Sequence, residues 1–586
     1  MMKQRLILLC GVLMSILTAE AQVEKHVEVS KAYVPSLEAA TKLTIEPDMT
    51  DTMTLRPDID YTVTPLSLQT TLATRPIRPA TITYWEFNRP SPFYLKAGVG
   101  YPLQSVVELN ASTQNSGTGY ALGYLQHEGR YGRIRNDFGT LNYAPRMTNR
   151  VGGAAGYYLG KRIVEGELDY RHRMDCRYGM YYPKGMPVVG DRIGYSDGNL
   201  RLRIGDDFLN LDRFNFSFGV EGSLFGDHSD LTHGEQGGRQ LNLGADLRLA
   251  RAWRKHSVAL EAEYRYLGGR KALVDTDEQL LGVGLRYAVK RQRSSWEAGA
   301  TFYHDRVRNA HLTGFEATNY ILPHVRFEGN IARKALQLFV TLDSHLETND
   351  FRSLAEQNPY VQSVLWLTKS SVNYDLKGGL KGSFGRDRFA YRLYATAMAN
   401  QNHRYWVVPE LREQMPINYF CGWMSCVQDD LIAFGLGGEL NYRPTTSLNF
   451  GLEVLGRAFD DEMSLPHGES ELTGAFSMRY NHPKFRLGVR TEVASERSWA
   501  VVSMNDYMER TGTFEAPFAV DLQLDFEWIY SSSMTFFVEG RNLANQKIYH
   551  YPAYREYGIN ALVGVRMTFL RVQRTENGER RTENRK

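Results

Sequence analysis

A chain of 586 residues with 69 basic and 66 acidic side chains carries a net charge of only +3, and the two signs are mixed along its length. No global field is present that would attract nucleic acid, and binding to it is not expected. Mean hydropathy is −0.41, which does not exclude a β-barrel, whose wall needs apolar residues only at alternate positions. The mature part of the chain has no run of about 18 apolar residues, so it holds no spanning helix and any crossing of a membrane is made by strands.

Residues 1–21 combine a basic start (Lys3, Arg5), an apolar run from Leu6 to Leu17 and small residues at Ala19 and Ala21. This is the pattern of a secretory signal peptide, with cleavage expected before Gln22. Cys10 lies inside the apolar run without the small residue a lipid-acceptor cysteine wants before it. Residues 22–92 contain eight prolines in 71 positions. Such a segment does not make a packed domain and reads as an extended strap, periplasmic or luminal.

From Phe93 onward the hydrophobic period is two and recurs in segments of about ten residues. Leu281, Val283, Leu285, Tyr287 and Val289 alternate with Gly282, Gly284, Arg286, Ala288 and Lys290. Similar runs occupy Leu241 to Leu249, Val258 to Tyr266, Trp296 to Tyr303, Leu336 to Leu342, Ile432 to Tyr442, Leu448 to Val454 and Phe485 to Val493. Counting gives about 22 strands, in a range of about 18 to 22 because the first ones are short. Tight turns such as Arg291 to Ser295, Gly385 to Arg388 and Asn481 to Lys484 alternate with long polar connections, the habit of outer-membrane barrels. The expected fold is therefore all-β, a transmembrane antiparallel barrel over residues 93–570, surrounded by outer-membrane lipid. A soluble propeller is the competing all-β architecture.

The face predicted to point inward is charged in both signs: Arg248, Glu261, Glu263, Arg265, Arg286, Glu297, Glu439, Arg443, Glu453, Arg457, Arg486, Arg490, Glu492, Glu539 and Arg566. Interleaved arginine and glutamate could bind a strap or plug through paired hydrogen bonds, or simply face water. No phosphate-binding glycine loop, nucleophile elbow or metalloprotease histidine pair is present, so neither an enzyme nor a cofactor is expected. The stretch Asp227-His-Ser-Asp230 to His233-Gly-Glu235 gathers metal-type side chains, but a polar loop contains such residues anyway and no metal site is assigned. Cys421 and Cys426 bracket four residues in a loop that is expected to begin near His403, and an oxidising exterior makes them a candidate disulfide. Cys176 sits in an earlier expected loop beside Arg177, Tyr178 and Tyr181.

The last segment, Gly558 to Phe569, sets Ile559, Ala561, Val563, Val565, Met567 and Phe569 against smaller or polar neighbours, with Phe569 as the barrel-closing aromatic. Together with Val538-Glu-Gly-Arg-Asn-Leu-Ala-Asn545, Lys547-Ile-Tyr549, Pro552 and Arg555, it resembles the final two strands of TonB-dependent receptor barrels. Asn349, Phe351, Leu354 and Asn358-Pro-Tyr360 are similar to a loop pattern among Bacteroidetes members. The resemblance implies a 22-stranded Gram-negative outer-membrane barrel for uptake or passage of a substrate, and in that family a globular plug precedes the barrel. Residues 22–92 do not match such a plug. His26-Val-Glu-Val-Ser30 is a weak TonB-box candidate, so engagement of TonB stays open. A barrel of this width needs filling, and the filler is the strap, a plug or lid partner protein, or nothing if the barrel is smaller. Besides uptake, the residues fit a non-transporting structural or assembly subunit, or a passive porin. Residues 571–586, with six basic and three acidic side chains, read as a disordered periplasmic tail.

Overall fold

The computed structural model describes residues 92–569 apart from 114–117, 138, 180–191, 207, 209–211, 231–236, 274–275, 309–313, 349, 362–369, 411–421, 461–465 and 504–509. The signal segment, the strap up to residue 91, Cys421 and the tail from 570 onward lie outside the described residues.

Twenty-four strands hydrogen-bond into one sheet. Two of them, Arg497–Ser503 and Arg510–Ala516, form a hairpin within one long connection, and its first strand runs parallel to residues 408–410. The other 22 are antiparallel neighbours in a closed ring. Closure is made by Phe93–Tyr101 against the last strand, Asn560–Phe569, over nine partner pairs that begin at Phe93 and Phe569 and end at Tyr101 and Ala561. A ring of this kind leaves no open edge, which is how so long a sheet avoids edge-to-edge aggregation. The upper end of the expected strand range is correct. The reading in which the lumen needs no filler because the barrel has fewer strands is thereby removed.

The side-chain alternation follows the pleat. Leu281, Val283 and Leu285 are 47%, 45% and 54% exposed on the outer face, while Arg286 on the other face reaches Glu261 at 3.2 Å. At the end where connections are short, aromatic rings form a belt. Phe384 and Phe389 lie 4.5 Å apart, Tyr442 stacks on Phe450 at 6.4 Å, and Trp528 on Phe536 at 5.6 Å. Such girdles mark the boundary between hydrocarbon and headgroups in outer-membrane barrels.

Several strands run further than the alternation suggested. Phe389–Glu410 pairs with Ser425–Tyr442 as far as Val407 and Ser425, across a bulge between Asn400 and His403. His403 is therefore a strand residue, because the ladder resumes beyond the left-handed Asn402 (φ 52°). Cys176 likewise ends a strand, Arg162–Cys176, and is buried. Among the described residues the only α-helix is Phe351–Gln357 (α1), capped by Asp350, whose carboxylate accepts from the Ser353 N–H at 2.9 Å.

A capped mouth over a charged interior

Most of the predicted inward charges meet partners. Glu261 lies between Arg248 at 3.4 Å and Arg286 at 3.2 Å. Glu263 takes Arg265 at 2.9 Å and the Tyr303 hydroxyl. Glu297 faces His324 at 3.4 Å, Arg457 reaches Glu469 at 3.0 Å and Arg490 reaches Glu492 at 2.6 Å. Glu439 pairs with Arg392 at 3.2 Å, a partner the sequence pattern had not singled out. Glu439, Glu453, Arg457 and Glu492 also line one cavity of about 460 Å³ with Tyr394, Arg497 and His550. Arg443 lies just past the strand end, in a short turn rather than on a strand.

Across the seam the charges run on from strand to strand. Arg486 meets Glu527 at 3.2 Å, Arg566 bonds to Glu527 and lies 3.3 Å from Glu539, and Glu539 takes Lys96 at 3.4 Å. Beneath them Phe537 is 1% exposed, with the Lys96 ammonium 5.1 Å and the Arg566 guanidinium 4.8 Å from its ring centre. The ring is seated against Gly98 and Gly564, which are partners across the seam. Glu527, Lys96 and Phe537 had no individual signal in the sequence. Most of the predicted charges are partly exposed on their side chains, and such pairs contribute at most about 1 kcal/mol each. The pairs form a polar, partly exposed surface that they organise more than they stabilise.

The long-connection mouth is different. Its connections and the adjoining strand ends fold toward one another and share one apolar cluster that includes Ile134, Ala144, Tyr178, Tyr195, Phe225, Leu273, Phe351, Ala355, Tyr360, Met424, Ala553, Tyr554 and Tyr557. Ile134 and Ala144 belong to the connection between the third and fourth barrel strands, and Tyr360 to that between the thirteenth and fourteenth. Those connections stand ten strands apart in a ring of 22, nearly opposite one another. A cluster that joins them crosses the mouth.

Tyrosines hold this cap. Tyr360 and Tyr554 stack with ring centres 3.4 Å apart at 9°, and Tyr178 packs edge-on to Tyr554 at 5.1 Å. The hydroxyls of Tyr178, Tyr554 and neighbouring tyrosines donate to carbonyls of other connections. Tyr178 donates to Arg555 at 2.8 Å and Tyr195 to Pro359 at 2.8 Å, while Tyr554 donates to Gly422, Tyr557 to Ala144 and Tyr551 to Gln357.

Helix α1 anchors the cap to the wall. Arg352 donates to Asp197 at 2.9 Å, Asn199 at 2.8 Å and Ser223 at 3.3 Å, while Gln240 donates to Asp350 at 3.0 Å. Asp197 is 2% exposed and also receives Arg171 at 3.0 Å. Between helix and wall lies a polar cavity of about 460 Å³ lined by Arg150, Asp169, Arg171, Asn199, Arg265 and Glu356, among others. Glu556, in the last connection, is another tie. Burial pushes its pKa up, but Arg146 at 3.2 Å, together with His550 and Arg130, outweighs this and holds the carboxyl below the usual range.

Cys426 is buried on its strand, and its proposed partner Cys421 lies outside the described residues. Asp227 ends a strand and helps bond Ser229, whereas His233 and Glu235 lie outside the described residues. Among those described, no three His, Cys, Asp or Glu side chains converge as metal ligands would. The cap was the feature least foreseen. Its one sequence signal was the run from Phe351 to Tyr360, whose helical spacing and tyrosine end supply α1 and the central stack.

No protein-family model matches the sequence, and no curated protein matches it. Among solved structures the fold recurs. The ferripyoverdine receptor of the outer membrane of Pseudomonas aeruginosa, bound to ferripyoverdine, superposes with a TM-score of 0.60 at 11% identity, over 82% of this chain and 72% of the receptor. The copper transporter OprC gives 0.61 at 12%, over 82% and 81%. The FrpB iron transporter from Neisseria meningitidis gives 0.62 at 11%, over 82% of each chain. These likenesses establish the barrel fold of TonB-dependent outer-membrane receptors, as the closing strands had implied.

Proposed function

We propose that this chain is an exported outer-membrane barrel for gated uptake or passage of a substrate, with its capped mouth at the cell surface and its short turns in the periplasm. The observation that carries this reading is the tyrosine cluster that joins opposite sides of the mouth. A passive porin keeps a steady opening, and a mouth bridged by buried rings does not. The fold neighbours described as receptor and transporters favour the same class. In this reading the polar wall below the cap is the surface along which a substrate, the proline-rich strap or a plug partner lies. Residues 1–21 are the cleaved export signal and residues 571–586 a periplasmic tail.

The test is single-channel conductance of the full chain in a planar bilayer. The unmodified protein should be closed for most of the time, and simultaneous Tyr360→Ala and Tyr554→Ala should produce openings. Openings already frequent in the unmodified protein would mean a porin. If the cap variant remains silent, a filler below the cap or a non-transporting assembly subunit becomes the better account. Stoichiometric co-purification of a second protein in mild detergent separates those two.

A further inference from the structure

The short-turn rim carries a charge asymmetry that the gating argument does not use. Five consecutive turns, at 254–255, 291–293, 333–335, 385–388 and 443–447, hold nine basic residues and one acid, Asp387. Elsewhere on the same rim the connections at 113–118 and 532–533 hold no charge, those at 160–161 and 483–484 one lysine each, and that at 207–214 two aspartates and one arginine. The positive charge is therefore gathered on one arc. In three of those turns an arginine occupies the left-handed backbone region, Arg254 at φ 56°, Arg333 at 49° and Arg386 at 60°. Glycine or asparagine adopts that conformation at less cost, so turn geometry does not explain the arginines.

Immediately beside two of these turns, on the outer face, stands a stack of rings. Trp253 lies on His256 at 6.1 Å, His256 on Tyr287 at 5.9 Å, and Trp296 meets Tyr287 edge-on at 5.5 Å. His256 Nδ1 is 2.6 Å from the Tyr287 hydroxyl, which fixes the pair. Between the stack and the turns opens a cavity of about 470 Å³ lined by Lys255, His256, Val289, Arg291, Gln292, Arg293 and Ser294. His256, the ring through which the stack meets the cavity, and Val289 line one side, and three cationic side chains the other. A ligand that suits both carries a phosphate on a glycerol or acyl body.

We propose that this cavity binds the headgroup of an anionic phospholipid of the periplasmic leaflet. The phosphate is held by Lys255, Arg291 and Arg293, and the acyl chains lie along Trp253 and Trp296. Basic clusters beside a membrane attract anionic headgroups, and aromatic rings settle at the headgroup level. The proposal rests on the membrane orientation given above.

The test is native mass spectrometry of the full chain in detergent with equal amounts of phosphatidylglycerol and phosphatidylethanolamine. Phosphatidylglycerol should be retained preferentially. Lys255→Gln, Arg291→Gln and Arg293→Gln together should reduce that retention at least about tenfold, with circular dichroism unchanged. Lys161→Gln with Arg213→Gln, on other turns of the rim, should leave it as it was. Equal retention of the two lipids, or a variant that retains as much as the parent, would overturn the proposal. Displacement of the lipid by millimolar inorganic phosphate would also overturn it, in favour of a free-anion site. So would an acidic polypeptide that occupies the arc in place of lipid and is lost from the triple variant. Failure of the membrane reading itself would be seen separately, as a chain that stays folded without detergent.

Discussion

Tyr554→Ala is the sharpest perturbation of the cap. Tyr554 is 1% exposed, stacks on Tyr360 at 3.4 Å, meets Tyr178 at 5.1 Å and donates its hydroxyl to Gly422. Truncating a buried aromatic to alanine typically costs about 3 to 5 kcal/mol, and that range already includes the lost stacking. The ring packs on rings of other connections, so the loss falls on the closing of the cap more than on the strand ladder. Even the lower figure shifts the open-to-closed ratio about a hundredfold. Where opening is fast, protease cleavage follows the open population, so cleavage within residues 542–559 should accelerate by about that factor in detergent. Tyr554→Phe, which keeps the ring and loses the hydroxyl, should fall well short of it. If Tyr554→Ala leaves the cleavage rate unchanged while β-sheet circular dichroism is preserved, the rings do not hold the mouth and the cap argument fails.

Arg352→Ala should release α1 from the wall at a cost of about 1 to 3 kcal/mol, because the buried Asp197 loses its bonds to Arg352; faster hydrogen exchange over 351–361 would show it. Acid should loosen the cap through Glu556. A carboxyl held below its ordinary pKa by Arg146 stabilises the closed state above that ordinary value, and the contribution is lost as pH falls through the depressed one. Protease sensitivity of 542–559 should therefore rise below about pH 4, and Glu556→Gln should flatten the pH profile. Gly564→Val should block seam closure, since a Cβ there would collide with the Ala97 carbonyl and the Phe537 ring; the readout is the yield of folded barrel on refolding into detergent. Gly198→Ala, where nothing lies within 4 Å of the added atom, should refold normally.

The barrel was legible because a closed antiparallel wall repeats one alternation on every strand, and Leu281 to Lys290 displays that rule alone. The closing pair was legible for the same reason, down to Phe569 opposite Phe93. The inward charges could be assigned to a face by parity, but not to partners. Parity leaves open that Glu439 would meet Arg392, or that Glu527 would bridge Arg486 and Arg566, because partnership depends on register. The cap was illegible for a deeper reason. Its tyrosines come from connections spread from Tyr178 to Tyr557 and meet only because the ring sets their strand ends around one mouth. The extra strand length at His403 and Cys176 was hidden likewise, since beyond the apolar band of the wall a strand no longer needs an apolar outer face.

How the mouth is held constrains what can open it. Were the connections joined by exposed ion pairs, salt alone would loosen them, since such pairs are weak and screened. Here the central joints are buried rings and hydroxyl-to-carbonyl bonds, which screening scarcely touches. Ions in the medium do not replace those contacts, so the proposed gating would call for a species that binds the open arrangement better than the closed one. For a closed state favoured a hundredfold, for example, reversing the balance would take a species that binds the open mouth about ten-thousandfold more tightly. Affinity of that size needs a ligand or partner that engages several of the freed connections together. The width of the tyrosine cluster, from Ile134 to Tyr557, would then be the reason that opening is selective: a contact at one connection leaves the others still joined.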